Sequence, residues 1–125
     1  MDSETKNKGS VIAEKSFDFA VRIVRLYRFL VKEHREYVLS KQVLKAGTSI
    51  GANVYEGRHA QSRNDFLSKM NIALKEAVET EFWLKLLVKT EFLTQTQGES
   101  ICADCDEIVK ILHAIVKTTK SNNNN

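Results

Sequence analysis

Four stretches of this chain repeat apolar residues every three or four positions, and that spacing leaves helix as the only regular structure that buries them together. From Val11 to about His34, the residues Phe19, Ala20, Ile23, Val24, Leu26, Tyr27, Leu30 and Val31 fall on one broad face. From about 40 to 56, Val43, Leu44, Ala46, Ile50, Val54 and Tyr55 share an inner face with Gly47 and Gly51. The third stretch, about 63–93, is apolar well beyond one stripe, with Phe66, Leu67, Met70, Ile72, Leu74, Ala77, Val78, Phe82, Trp83, Leu84, Leu86, Leu87 and Val88. Such a helix has to be covered on more than one side, by its own bundle or by the bundle and a neighbouring subunit. The fourth, about 100–120, places Ile101, Cys105, Ile108, Val109, Ile111, Leu112, Ile115 and Val116 on one face.

No stretch alternates in the manner of a strand, and the chain holds no proline to break a helix interior. Its 125 residues make one domain with a real core. Short connections between the segments predict antiparallel neighbours, hence an all-α, antiparallel up-down-up-down four-helix bundle over 11–120. The polar segment 1–10 and the tail 121–125, SNNNN, are expected to be disordered.

Local signals set the expected boundaries. Ser40 suits an N-cap, and Gly57 suits a left-handed C-terminal stop. Ser62 and Asp65 have the spacing of a capping box at the start of the third helix. The stretch TQTQGES interrupts the pattern before the fourth.

GTSIGANVYEG, residues 47–57, concentrates three of the five glycines and could suggest a phosphate loop. It lacks the G-K-[ST] of a P-loop, its spacing is not G-x-G-x-x-G, and no strand precedes it. Gly47 and Gly51 instead stand one helical turn apart and open a groove in which another backbone can approach closely. Each interior glycine costs roughly 1 kcal/mol relative to alanine, which tight packing has to return.

Candidates for chemistry are few. Cys102 and Cys105 form a single C-x-x-C without the further ligands that zinc needs, and without the βαβ setting of a redox motif. They read as packed, reduced thiols. Glu81 projects between Ala77, Leu84 and Val88 and therefore needs a partner or a wet interface. A pair of Glu-x-x-His motifs on facing helices, as di-metal bundles use, is absent, and no nucleophile–base–orienter set exists. The chain is expected to be no enzyme and to hold no metal or cofactor.

Basic residues carry the strongest hint of a partner. Arg22, Arg25, Arg28, Lys32 and Arg35 back the first helix, and Arg58, His59 and Arg63 cluster at the turn before the third. Arginine suits phosphate, yet Asp18, Glu33 and Glu36 interrupt the stripe, and the net charge is only +3. Solvation and subunit salt bridges compete with nucleic-acid contact as its use. No run approaches the length of a membrane span, and the two cysteines without a secretory segment point to the cytoplasm.

Taken together, KSFDFAVRIVRLYRFL, AGTSIGANVYEG and SRNDFLSKMNIALKEAVETEFWLKLL resemble the four-helix-bundle family of bacterial 23S rRNA intervening-sequence proteins. The most specific part is S-I-G-A-N-x-x-E-G followed by S-x-x-D-F, Ser49 to Gly57 and Ser62 to Phe66. The resemblance implies a bundle that assembles into a ring-like homopentamer. It extends in fold to the accessory protein of diversity-generating retroelements, a basic bundle that binds nucleic acid and a reverse transcriptase. By that analogy the chain would bind RNA or DNA, the alternative being a protein-interaction scaffold. Gly47, Gly51, Asn53, Glu56, Gly57, Asp65 and Glu81 are its structural fingerprint here.

Overall fold

The computed structural model describes residues 3–123, with side-chain surroundings from Gly9 to Asn122. It contains four helices, α1 (Ser3–His34), α2 (Leu39–Arg58), α3 (Arg63–Lys89) and α4 (Gln95–Asn123), and no strand among the described residues. Each helix packs on its neighbours in the chain and α4 closes back on α1, so α1 and α3 lie across one diagonal and α2 and α4 across the other. The registers run in opposite directions. Gly47 faces Ile23 while Gly51 faces Ser16. Along α4, Glu107 pairs with Lys15 and Asp104 with Arg22. Cys105 meets Ala77, and Gly98 meets Val88. An up-down-up-down bundle requires this pattern of rising against falling residue numbers.

All four helices feed one core. Phe19, Ile23 and Leu30 of α1, Val43 and Ile50 of α2, Met70, Leu84 and Leu87 of α3, and Ile108, Leu112 and Ile115 of α4 are each no more than 2% exposed. Burying such a side chain is worth about 1.5–3 kcal/mol relative to leaving it in water. None of the four helices could recover the entropy of ordering alone, so the apolar stripe and the bundle depend on one another.

The boundaries differ from expectation in informative ways. Residues 3–10, expected to be disordered, are the first turns of α1, and α4 continues past Lys120 to Asn123. Met1, Asp2, Asn124 and Asn125, the rest of those expected disordered ends, lie outside the described residues. Ser40 is not the N-cap. It is buried in the first turn of α2, and the Glu36 carboxylate accepts from the backbone N–H of Val38 and Ser40 at 3.1 and 2.8 Å. The helix begins at Leu39, one residue before Ser40, so these first donors fall to Glu36, and Ser40 Oγ donates instead to Glu36 O at 2.7 Å.

Gly57 is not a left-handed stop either, since no glycine has positive φ. The helix runs through it to Arg58, and a Cβ there would lie 2.5 Å from Met70 Cε, so α3 sits directly on it. Positive φ belongs instead to Arg35 (51°) and Glu91 (69°), the residues that end α1 and α3. Phe92 N–H then returns to Leu87 O at 2.9 Å, which closes α3 four residues before the expected 93.

TQTQGES is the start of α4 and not a break. Thr94 Oγ1 accepts from Gln97 N–H at 3.1 Å while Gln97 Oε1 accepts from Thr94 N–H at 3.0 Å, a reciprocal capping box. At α3, Ser62 Oγ accepts from Asp65 N–H at 3.0 Å, as its spacing predicts.

Candidate nucleic-acid interface

The five basic residues assigned to the back of α1 divide into two groups. Arg22 turns toward α4, where its Nη1 meets Asp104 Oδ2 at 2.6 Å and its Nη2 meets Ser100 Oγ at 3.2 Å. Its side chain is only partly exposed and latches the α1–α4 seam. Lys15, about two turns earlier, does the same with Glu107 at 2.6 Å, and this hydrogen bond raises its pKa above the ordinary lysine value.

Arg25, Arg28, Lys32 and Arg35 are exposed, and no ion pair engages them among the described residues. At 3.6 residues per turn, Arg25, Arg28 and Lys32 fall within a sector of about 60°. Arg35 lies just beyond the helix in a left-handed conformation and leaves that line. Among the acidic residues expected to interrupt the stripe, Glu36 is occupied with the α2 backbone. Asp18 and Glu33 remain exposed beside it.

Arg58 and Arg63 are also exposed and unpaired, and they line a shallow depression of about 360 Å³ with Gln61, Ser62 and Phe66. They do not join the α1 cluster. Arg58 is at the far end of α2, whose 20 residues extend about 30 Å from the turn where α1 ends. His59 stacks beside Tyr55 with ring centroids 5.3 Å apart.

The fingerprint residues hold the bundle itself. A Cβ at residue 47 would stand 2.7 Å from Ile23 Cγ1, and one at residue 51 would stand 3.1 Å from Ser16 O, so both glycines admit α1. Asn53 Nδ2 donates to Ser49 O at 2.8 Å within α2. Glu56 pairs with Lys69 of α3 at 3.6 Å. Asp65 supplies the N–H of the α3 cap and an acidic side chain in its first turn. Glu81 is half-buried at the edge of the core and finds its partner in Lys85, 3.3 Å away on the next turn.

Cys105 is buried with its Sγ–H toward Ala77 O at 3.4 Å, and burial pushes its pKa up to about 12. Burial raises that of Cys102 as well. Both thiols are free, and no group of three or more His, Cys, Asp or Glu comes together among the described residues. Among the described residues, no helix is long and apolar enough to cross a membrane.

Two further features were not anticipated, and a third bears on an alternative that the sequence left open. Tyr55, placed on the inner face of its helix, is 68% exposed because it sits about 120° from the centre of the buried stripe. Phe17 and Val21, absent from the expected apolar face of α1, stand exposed on its outer side at 68% and 36%. Their spacing of four residues among polar neighbours was the available signal. On α3, Ile72, Val78 and Phe82 stay exposed, so the bundle alone does not cover that helix.

A family model described as 23S rRNA-intervening sequence protein matches residues 8–114. The chain belongs to this family. A crystal structure of a protein of unknown function from the S23 ribosomal protein family of Bacteroides thetaiotaomicron VPI-5482 is 59% identical, with a TM-score of 0.86. The similarity covers 88% of this chain and 98% of that one. A search of curated proteins finds no match. Within the family fold, Gly47, Gly51 and Gly57 account for the closeness of α2 to its two neighbours.

Proposed function

We propose that this family member is a non-enzymatic, oligomeric helical bundle that binds structured RNA or DNA through the exposed basic side of α1. The observation that carries this reading is the set Arg25, Arg28 and Lys32, aligned on one helix edge with no ion pair to break among the described residues. Phosphate can engage these cations without loss of any contact that holds the fold. A family described by its link to 23S rRNA supports a nucleic acid as the partner class. Oligomerisation is supported by Val78 and Phe82 of α3, 51% and 58% exposed, which a second subunit would cover. The same residues favour a protein-interaction scaffold as the second reading.

Fluorescence anisotropy with a labelled rRNA fragment and with DNA tests the first reading. Three phosphate contacts per subunit give a slope of log K against log salt near −3, from about −0.9 per contact on duplex. Replacing Arg25, Arg28 and Lys32 together by Gln should abolish binding, while Arg22→Gln leaves it nearly unchanged. No binding at low salt sinks the nucleic-acid role and leaves the scaffold. Light scattering that finds a strict monomer removes the oligomer.

A further inference from the structure

The outer face of α1 carries more than charge. Phe17, Ala20, Val21, Val24, Arg25 and Arg28 line one shallow groove of about 390 Å³. Phe17 is 68% exposed and makes no ring–ring contact among the described residues. From Phe17 to Lys32 the sequence holds four cations (Arg22, Arg25, Arg28, Lys32) and one acid (Asp18), an excess of three before Arg22 is spent on Asp104. An aromatic ring and a row of unpaired cations on one helix edge is an arrangement complementary to a flexible polyanion with flat apolar faces.

Resting on the nucleic-acid reading above, we infer that this face takes single-stranded nucleic acid. An unpaired base stacks on the Phe17 ring, and the phosphates that follow run along Arg25, Arg28 and Lys32. These cations lie about 12, 16 and 22 Å from Phe17 along the helix axis, at 1.5 Å per residue. A duplex keeps its base faces stacked inside and offers only backbone, so it would use the cations and leave Phe17 idle. Unpaired loops of a structured RNA expose the required bases. Stacking is sequence-tolerant, so the ligand class is any strand with an accessible base and not one sequence.

The test compares a labelled oligo-dT or oligo-U of about 20 nucleotides, a length beyond one stacking site, with a blunt duplex of equal length. The single strand should bind more tightly. Phe17→Ala should weaken single-strand binding about tenfold or more and leave duplex binding unchanged. Phe17→Leu, which keeps apolar area without a π face, should lose nearly as much, and Phe17→Trp should retain or gain affinity. Circular dichroism on heating should find these variants folded, because the side chain lies mostly in solvent. Duplex binding equal to single-strand binding, or no effect of Phe17→Ala, overturns the inference and leaves the basic-face reading standing. No binding to any of these probes overturns both. A fall in molecular mass on light scattering with Phe17→Ala, at unchanged affinity for the single strand, assigns the face to a second copy and overturns the inference.

Discussion

Helix α1 is held by two seams built on opposite principles. Against α2 the backbones approach directly: Ser16 O lies 3.1 Å from where a Cβ at residue 51 would stand, and Ile23 fills the space at Gly47. No salt bridge crosses that seam among the described residues. Against α4 the helices stand a side chain apart, bridged by Lys15–Glu107 and Arg22–Asp104 and flanked by grooves of about 410 and 460 Å³. Close approach gains dispersion from many atoms at once and tolerates no added volume. An ionic latch between half-exposed side chains gains little and adapts readily. One seam therefore specifies the bundle, and the other leaves the adjoining face of α1 accessible.

Adding volume to the tight seam should break it. Gly51→Leu should destabilise the fold by about 3 kcal/mol or more, because the backbone of α1 cannot yield as a side chain can. Gly47→Ala should cost about 1–2 kcal/mol despite the gain in helix propensity, and Ile23→Val should recover part of it in a double-mutant cycle. Urea melts would measure both. A neutral Gly51→Leu would mean that the seam is not close-packed.

The α3–α4 seam sharpens the contrast, since it is apolar like the first but carries a buried thiol. Below about pH 8 Cys105 is protonated both folded and unfolded, so it adds no pH dependence. Between the ordinary thiol value of 9.0 and about 12 the unfolded chain releases the proton and the folded chain keeps it. Native stability should then fall with rising pH, by at most about 1.4 kcal/mol per unit from this group. The difference between wild type and Cys105→Ala isolates the effect from lysine and tyrosine titration. A difference that stays flat to pH 11 would contradict a buried thiol.

The smallest effect is expected at the open seam. Asp104→Asn should cost well under about 1 kcal/mol, because the pair is 37% and 47% exposed, and the cost should shrink further in high salt. A loss comparable to that of Gly51→Leu would erase the distinction between the two seams.

Much of the fold was legible before any coordinate. Apolar spacing located all four helices, and the spacing of Gly47 and Gly51 announced a packing groove. The Thr94–Gln97 capping box was equally present in the sequence, but Gly98 and the polar run around it suggested a break. Gly98 is there because α3 leaves no room for a Cβ beside Val88. Gly57 misled for the same reason: a glycine near a helix end can serve either a turn or a neighbour, and only the neighbour's position decides. At the candidate interface, sequence spacing could group Arg22 with Arg25 and Arg28, but not foresee that Asp104 would claim it.

By itself, then, the chain's periodicity determined that it is helical, that its helices pair, and which side of each is buried, because these follow from the 3.6-residue repeat and the avoidance of water by apolar atoms. The tertiary structure decided which glycines admit a neighbour, which cations are consumed by ion pairs, and which apolar residues remain in solvent. Those depend on distances between residues far apart in sequence, and no local pattern encodes how closely two helices will finally lie.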